Sequence, residues 1–198
     1  MKKNIIKISV IIISLTISGV LCYSCKRVST PKPRGYIRID LPEKAYQKFD
    51  NADYPYSFDY PVFGQIIPDT TSLGNEPFWA NIVSPRYKAT LHLSYKKLNK
   101  NLPEILDDTY NFVYRHVIKA DEIIETPFIN KEKNAYGFLY EIGGDAASAV
   151  QFYVTDSTQN FLRGALYFNV TPNRDSLRPY IHYFTEDIQY LMQTLSWK

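Results

Sequence analysis

The strongest constraint on the fold is a run of four strand-like segments joined by short turns. The third segment, read as ASAVQFYVTDS, alternates apolar and more polar residues, which is the period of a β-strand. The four segments span 121 to 130, 134 to 144, 147 to 157 and 160 to 172. Because a parallel connection needs a dozen or more residues, these strands must pair antiparallel as a meander.

The rest of the chain predicts three earlier strands and two helices. Strand patterns occupy 56 to 62, 78 to 84 and 89 to 98. A helical period follows in NLPEILDDTYNFVYRHVIKA, with Asn101 as its cap, and another closes the chain, capped near Asp175 or Ser176. The order predicts an α+β domain, a mostly antiparallel sheet of about six to seven strands packed by two amphipathic helices.

The N-terminus has the layout of a secretory signal peptide over 1 to 24, with three lysines before an apolar run. The run from Ile8 is shorter than the roughly 20 residues that span a bilayer. A permanent transmembrane helix is the alternative if the apolar segment starts at Ile5, but Lys7 interrupts that longer segment. Cys25, preceded by small Ser24, is the candidate lipid acceptor, although Tyr23 is larger than usual there; Cys22 is the weaker candidate because bulky Leu21 precedes it.

Removal of the signal peptide changes the charge of the chain. The whole sequence has 23 basic and 20 acidic residues, and losing three lysines leaves the mature chain neutral, which argues against nucleic-acid binding. Residues 25 to 45 are rich in proline and basic residues and predict a lipidated tether. Residues 46 to 198 are predicted to form one globular domain.

The stretch EIGGDAAS, 141 to 148, is the most distinctive loop. It lacks the lysine of a phosphate-binding loop, and Ser148 lies between alanines instead of the glycines of a nucleophile turn. A hairpin is expected, in which Gly143 and Gly144 supply positive φ or a bulge and Asp145 bonds the loop backbone. As an alternative, the loop contacts a partner, and that set of residues is Gly143, Gly144, Asp145, Ser148 and Gln151.

The other candidate chemistry is weaker. His92, His116 and His182 are too far apart in sequence for ligand spacing, so no metal or other cofactor is expected. The acidic pairs at 107 to 108 and 121 to 122 fit ordinary polar faces better than a hydrolase. An aromatic platform for a glycan or peptide is an alternative use of the aromatic residues Tyr54, Tyr56, Tyr60, Phe78 and Trp79.

Several segments are distinctive enough to compare with known families: PKPRGYIRIDLPEKAYQKFD, HVIKADEIIETPFIN, YGFLYEIGGDAASAVQFYVTDS, FLRGALYFNVTPNRDSL and the closing TLSWK. Together they resemble the gliding motility lipoprotein GldD family of Bacteroidota. The element order is also similar to a Mog1/PsbP-type αβα sandwich.

The resemblance to that family implies a cell-envelope lipoprotein needed for gliding and for the type IX secretion machinery, acylated at Cys25 and without a catalytic site. We therefore expect a non-enzymatic assembly component with protein partners in that machinery and a membrane contact through the lipid. Attachment to the outer membrane, facing the periplasm, is preferred. The rival hypothesis is a peptidoglycan- or glycan-binding module, and a hydrolase using Asp145 and Ser148 is a further one.

Overall fold

The computed structural model describes residues 39–69, 77–115, 120–171 and 173–198. The predicted signal peptide, Cys25 and most of the predicted tether lie outside these residues. The strands are β1 (Tyr46–Phe49), β2 (Tyr56–Pro61), β3 (Gln65–Pro68), β4 (Ala80–Ser84), β5 (Ala89–Lys97), β6 (Ala120–Asn130), β7 (Ala135–Gly144), β8 (Ser148–Thr155), β9 (Asn160–Phe168) and β10 (Ser196–Trp197). The helices are α1 (Leu102–Tyr114) and α2 (Arg174–Thr194), and a 3₁₀ turn spans Pro85–Tyr87.

Seven strands form one sheet in the order β3-β4-β5-β9-β8-β7-β6. Every neighbouring pair is antiparallel, and β6 to β9 form the meander that the short turns predict. The long pairing of β5 with β9 joins the N-terminal three strands to that meander. The predicted α+β class is confirmed.

The two helices cover opposite faces of this sheet. Along β8, Phe152 belongs to the large core that includes Ile188 and Leu191 of α2. Its neighbour Tyr153 packs instead with the clusters that contain Ile105 and Val113 of α1. Because successive side chains of a strand point to opposite faces, α1 and α2 lie on the two sides of the sheet.

A second sheet, in the order β1-β2-β10, adds a packing element on the α2 side. Its central strand contributes Tyr56 and Phe58 to the large core, where they are 0% and 1% exposed. The strand pattern at 56 to 62 therefore marks a real strand, but one outside the seven-stranded sheet. The strands β1, β3 and β10 were not predicted, because each has only two to four residues and too little pattern to recognise.

The helix ends differ from the predictions in detail. Asn173 caps α2, since its side chain accepts a hydrogen bond from the backbone N–H of Ser176 at 3.1 Å. The predicted cap at Asp175 or Ser176 was thus placed too late. Asn101 does precede α1, but its side chain accepts a bond from the N–H of Asn99 and not from the helix.

The last residues of the predicted tether pack against the domain. Leu41 contacts the large core, and the carbonyl of Pro42 accepts a hydrogen bond from the Tyr183 hydroxyl at 3.2 Å. The Lys44 ammonium donates to the carbonyl of Tyr183 at 2.6 Å. The folded body therefore begins before residue 46, because these side chains have partners on α2 that are far away in sequence. Within the described ranges, no helix is both long and apolar enough to cross a membrane.

Candidate functional site

A groove of about 560 Å³ lies between the β6–β7 edge of the sheet and the first half of α2. We call it the β6–α2 groove. Ala149 and Ile181 supply apolar surface, Ile142 lines the strand side with its side chain buried, and Ile124 is 50% exposed. Its size falls within the range of ordinary binding pockets.

The two walls of the groove carry opposite charge. The carboxylates of Glu122 and Glu141 lie on the strand wall and the guanidinium of Arg178 lies on the helix wall, which His182 also lines. Pro179 also lines the helix wall and interrupts the helical hydrogen bonds, because its ring nitrogen cannot donate to the carbonyl four residues earlier. An apolar surface between opposite charges suits a peptide segment that carries apolar side chains together with charged ones.

The glycines of the predicted contact loop form one rim of this groove. Gly143 and Gly144 both line it, and Gly144 has a φ of 88°, which favours glycine. The prediction of positive φ is confirmed for Gly144. Asp145 is exposed beside the glycines. Contact between this loop and a partner stays a prediction.

Ser148 and Gln151 do not belong to that surface. Ser148 is 0% exposed and Gln151 is 1% exposed, so neither side chain can touch a partner docked outside. The physical reason is that β8 lies inside the sheet with both faces covered, so even its polar residues are buried. We therefore correct the predicted contact set by removing these two residues.

Gln151 instead holds a half-buried arginine. The Arg163 guanidinium donates to the side-chain oxygen Oε1 of Gln151 at 2.9 Å and lies 4.4 Å from the centre of the Phe112 ring. Burial lowers the pKa of Arg163. The Nε of Arg163 and the Nε2 of Gln151 have no hydrogen-bond partner. The sequence signal that could have revealed this pair is the single charged residue, Arg163, within the otherwise mostly apolar strand NFLRGALYF.

A second polar cluster, centred on buried Asp187, joins the N-terminal segment to α2. Lys44 Nζ lies 2.7 Å from Asp187 Oδ1, and the Tyr46 hydroxyl donates to the same oxygen at 3.0 Å. The ammonium also sits 3.3 Å from the centre of the Tyr183 ring. Burial raises the pKa of Asp187, against the lowering effect of Lys44. No sequence signal pairs residues so far apart.

The five predicted platform aromatics do not form one exposed surface. Tyr56 is fully buried, whereas Tyr54, Tyr60 and Trp79 are half-buried. Phe78 is 37% exposed and is the one that opens to solvent most. Packing of β2 into the core explains the burial of Tyr56.

The histidines and acidic pairs stay apart. His92 Nδ1 lies 2.7 Å from Asn81 Oδ1, His182 pairs with Glu186 at 3.5 Å, and His116 lies outside the described residues. No group of three or more potential ligands for a metal ion occurs within the part of the chain that the structure describes. Asp107 and Asp108 are exposed on α1, as ordinary polar residues are.

Comparison with known proteins gives likenesses in structure and in sequence. No curated protein sequence matches the chain. The solution structure of cyanobacterial PsbP (CyanoP) from Synechocystis sp. PCC 6803 is similar, with a TM-score of 0.47 and 10% identity, over 85% of this chain and 99% of that one.

The sequence profile of the family described as "Gliding motility lipoprotein GldD" matches residues 26–197. This range includes every described strand and helix, and Lys198 is the one described residue that lies outside it. The match agrees with the family resemblance of the N-terminal, loop and C-terminal segments. The chain therefore belongs to the gliding motility lipoprotein GldD family.

Proposed function

We propose that this protein is a non-enzymatic assembly component of the gliding and type IX secretion machinery, and that it docks a partner protein in the β6–α2 groove. The mature chain is held to the membrane by acylation of Cys25, on the periplasmic face of the outer membrane. Family membership implies the coarser part of this, a membrane-anchored lipoprotein of the cell envelope that serves gliding motility.

The observation that carries the docking site is the exposed isoleucine at the mouth of the groove. Ile124 is 50% exposed on β6 and faces the same side as Glu141, its partner across the strand pair. An apolar side chain at the centre of a charged rim is the usual arrangement of a protein contact. We expect the occupant to be a segment of the partner that buries an apolar side chain on Ile124 and directs a lysine or arginine to Glu141.

Docking by strand addition is disfavoured at both edges of the seven-stranded sheet. The edge strands β3 and β6 carry Pro68 and Pro127, and proline has no N–H to donate to an added strand. Strand β6 also carries the acidic residues Asp121, Glu122 and Glu125. A groove contact made by side chains is therefore favoured over pairing of backbones.

The test uses two isoleucines of the same strand. Ile124→Arg should stop or strongly slow gliding, because it places a cation and a long side chain where the apolar anchor docks. Ile129→Arg is the matched control: Ile129 is 65% exposed on the same strand but on the opposite face. A photo-crosslinker at position 124 should also capture an envelope protein that position 129 does not capture.

Protein abundance and membrane attachment must be equal in both strains for the comparison to count. Normal gliding and secretion of the Ile124→Arg strain would overturn the docking site, as would equal loss in the two strains. Lipid attachment is tested separately: Cys25→Ala should release the protein from the membrane fraction, and a variant still found there would contradict acylation at that residue.

A further inference from the structure

A second cleft, of about 630 Å³, opens at the other end of the seven-stranded sheet. It lies where β5 ends, α1 begins and the β8–β9 turn returns, and we call it the β5–α1 cleft. This cleft lies where Lys97 of β5 pairs with Asn160 of β9. The β6–α2 groove lies instead near the pair of Gly144 on β7 and Ala120 on β6. The two sites are therefore separate.

Phe78 stands on the wall of this cleft in a strained backbone conformation. Its φ of 69° is in the left-handed region, which costs a residue with a side chain about 1–2 kcal/mol. Two hydrogen bonds hold the backbone there: the Tyr56 hydroxyl donates to the Phe78 carbonyl at 2.6 Å, and the Trp79 ring N–H donates to the Tyr95 carbonyl at 2.9 Å. Strain of this kind persists only where the surroundings enforce it.

The Phe78 ring is fixed as firmly as its backbone. The rings of Tyr54 and Tyr95 approach it edge-on, with centroids at 6.0 Å and 5.8 Å. The ring is nevertheless 37% exposed and lines the cleft. The molecule thus presents a rigid aromatic surface to whatever enters.

The opposite side of the cleft is also held in place. Asp156 Oδ1 accepts three backbone hydrogen bonds, from Thr158 at 2.9 Å and from Gln159 and Asn160 at 2.8 Å each. The Tyr95 hydroxyl then donates to the Asn160 side chain at 2.6 Å. These bonds fix the turn that carries the exposed Gln159 side chain at the rim. A site preorganised in this way loses little entropy when it binds.

The rim mixes donors and acceptors without a large net charge. Lys96, Lys97 and Lys198 supply donors, Glu104 and Asp108 supply acceptors, and the Gln159 amide supplies both. The charge of Lys198 is balanced by Asp50, which lies 2.7 Å from its ammonium. The two carboxylates would repel a strongly anionic ligand, and the lysines would repel a strongly cationic one. The ligand that matches is neutral, with groups around its edge that both donate and accept.

We propose that the β5–α1 cleft binds a neutral saccharide, with a sugar ring stacked on Phe78 and its hydroxyl or acetamido groups bonded to Lys96 and Gln159. The apolar C–H face of a pyranose covers an aromatic ring, and its hydroxyls are both donors and acceptors. A peptide is the less suitable occupant, because few peptide side chains are neutral and carry several groups that both donate and accept hydrogen bonds. This site goes beyond the proposed docking function and does not rest on it.

The test titrates the full-length protein, in a detergent without a sugar headgroup, with the tetrasaccharide of N-acetylglucosamine and with cellotetraose. Saturable binding of at least one probe is expected, observed by calorimetry or by chemical-shift changes at the cleft. Phe78→Gly should weaken it by about tenfold or more. Glycine accepts the positive φ, which offsets part of the lost ring contacts and favours a folded variant.

Two further sets of variants keep the result interpretable. Lys96→Ala and Gln159→Ala change exposed side chains and should each weaken binding without affecting the fold. Phe112→Ala is the matched control, since that phenylalanine is 41% exposed but lies on α1, outside the lining of the cleft. It should leave binding unchanged.

The acetamido and plain glucose probes distinguish a cell-wall type of sugar from a general polysaccharide, and binding of either one supports the site. Absence of saturable binding to both probes overturns the proposal. So does binding that survives unchanged in Phe78→Gly and in both rim variants, or that is lost equally in Phe112→Ala. If the Ile124→Arg strain loses gliding while its purified protein still binds the tetrasaccharide, the defect lies in the docking groove and not in this cleft.

Discussion

Replacing Lys44 with methionine removes the cation that joins the N-terminal segment to α2. Its ammonium lies 2.7 Å from Asp187 Oδ1 and donates to the Tyr183 carbonyl at 2.6 Å. In the variant, Asp187 keeps only the Tyr46 hydroxyl, while its Oδ2 already has no partner. The substitution therefore leaves a carboxylate buried with one hydrogen bond.

The size of the effect follows from the burial of the two partners. The Asp187 side chain is 4% exposed, and removing one member of a buried ion pair costs about 3–5 kcal/mol. The Lys44 side chain is 26% exposed, so part of the pair is already hydrated and water can enter after the change. We expect a loss of about 3 kcal/mol in the free energy of unfolding at neutral pH.

The assay is urea denaturation of the single variants and of the double variant. Asp187→Asn should cost less, about 1–2 kcal/mol, because the Tyr46 bond survives and Lys44 can turn to Glu186, 3.5 Å away. In the double variant no charge is stranded. The loss of unfolding free energy in the double variant should therefore be about 2 kcal/mol smaller than the sum of the two single losses.

The pH dependence gives an independent check. Burial raises the pKa of Asp187, and loss of Lys44 removes an interaction that lowers it, so in Lys44→Met the pKa is higher still. A group with a raised folded-state pKa adds stability that is present below its ordinary value and is lost as the pH rises through the folded-state value. The deficit of Lys44→Met should therefore shrink when the pH falls from about 7 toward about 4.

A deficit below about 1 kcal/mol at neutral pH would refute the reasoning, as would strict additivity with Asp187→Asn. A deficit that does not change with pH would show that lost packing of the lysine stem, and not the stranded charge, causes the effect.

Three other substitutions test different parts of the structure. Gly164→Ala should destabilise by about 3 kcal/mol or lower the yield of folded protein, because its Cβ would overlap a ring carbon of fully buried Phe152; a thermal midpoint within about 2 °C of the wild type would contradict this. Asp156→Asn should cost about 1–2 kcal/mol in urea denaturation at neutral pH. Burial acts to raise the pKa of Asp156, but its hydrogen bonds outweigh this and lower it, so that its stabilisation is lost in acid and the variant should then equal the wild type. Arg163→Met should cost about 1–2 kcal/mol, because it leaves the side-chain oxygen of buried Gln151 without its donor, although it also removes a half-buried charge whose Nε has no partner; a loss above about 3 kcal/mol would show that the guanidinium organises the α1 side of the sheet.

Local patterns in the sequence determine the larger elements. The turns of a few residues between β6, β7, β8 and β9 leave antiparallel pairing as the only connection, and the period of apolar residues predicts both helices. The glycine at position 144 also predicts a positive φ there, because that conformation favours a residue without a side chain. Each of these features depends on neighbours along the chain.

The features that only the tertiary structure decides depend on distant residues. The strand pattern at 56 to 62 predicts a strand but not its place in the small sheet, since its partners β1 and β10 come from near the two ends of the described chain. Lys44 and Asp187 are 143 positions apart, and no periodicity relates them.

Burial of polar residues belongs to the same class. Alternation along β8 predicts one buried and one exposed face, yet Gln151 is 1% exposed because α1 and α2 cover opposite faces of the sheet. The left-handed backbone of Phe78 likewise exists because Tyr56 and Trp79 hold it there. Periodicity and turn chemistry report the conformation of a segment, whereas burial and strain are set by the segments that pack against it.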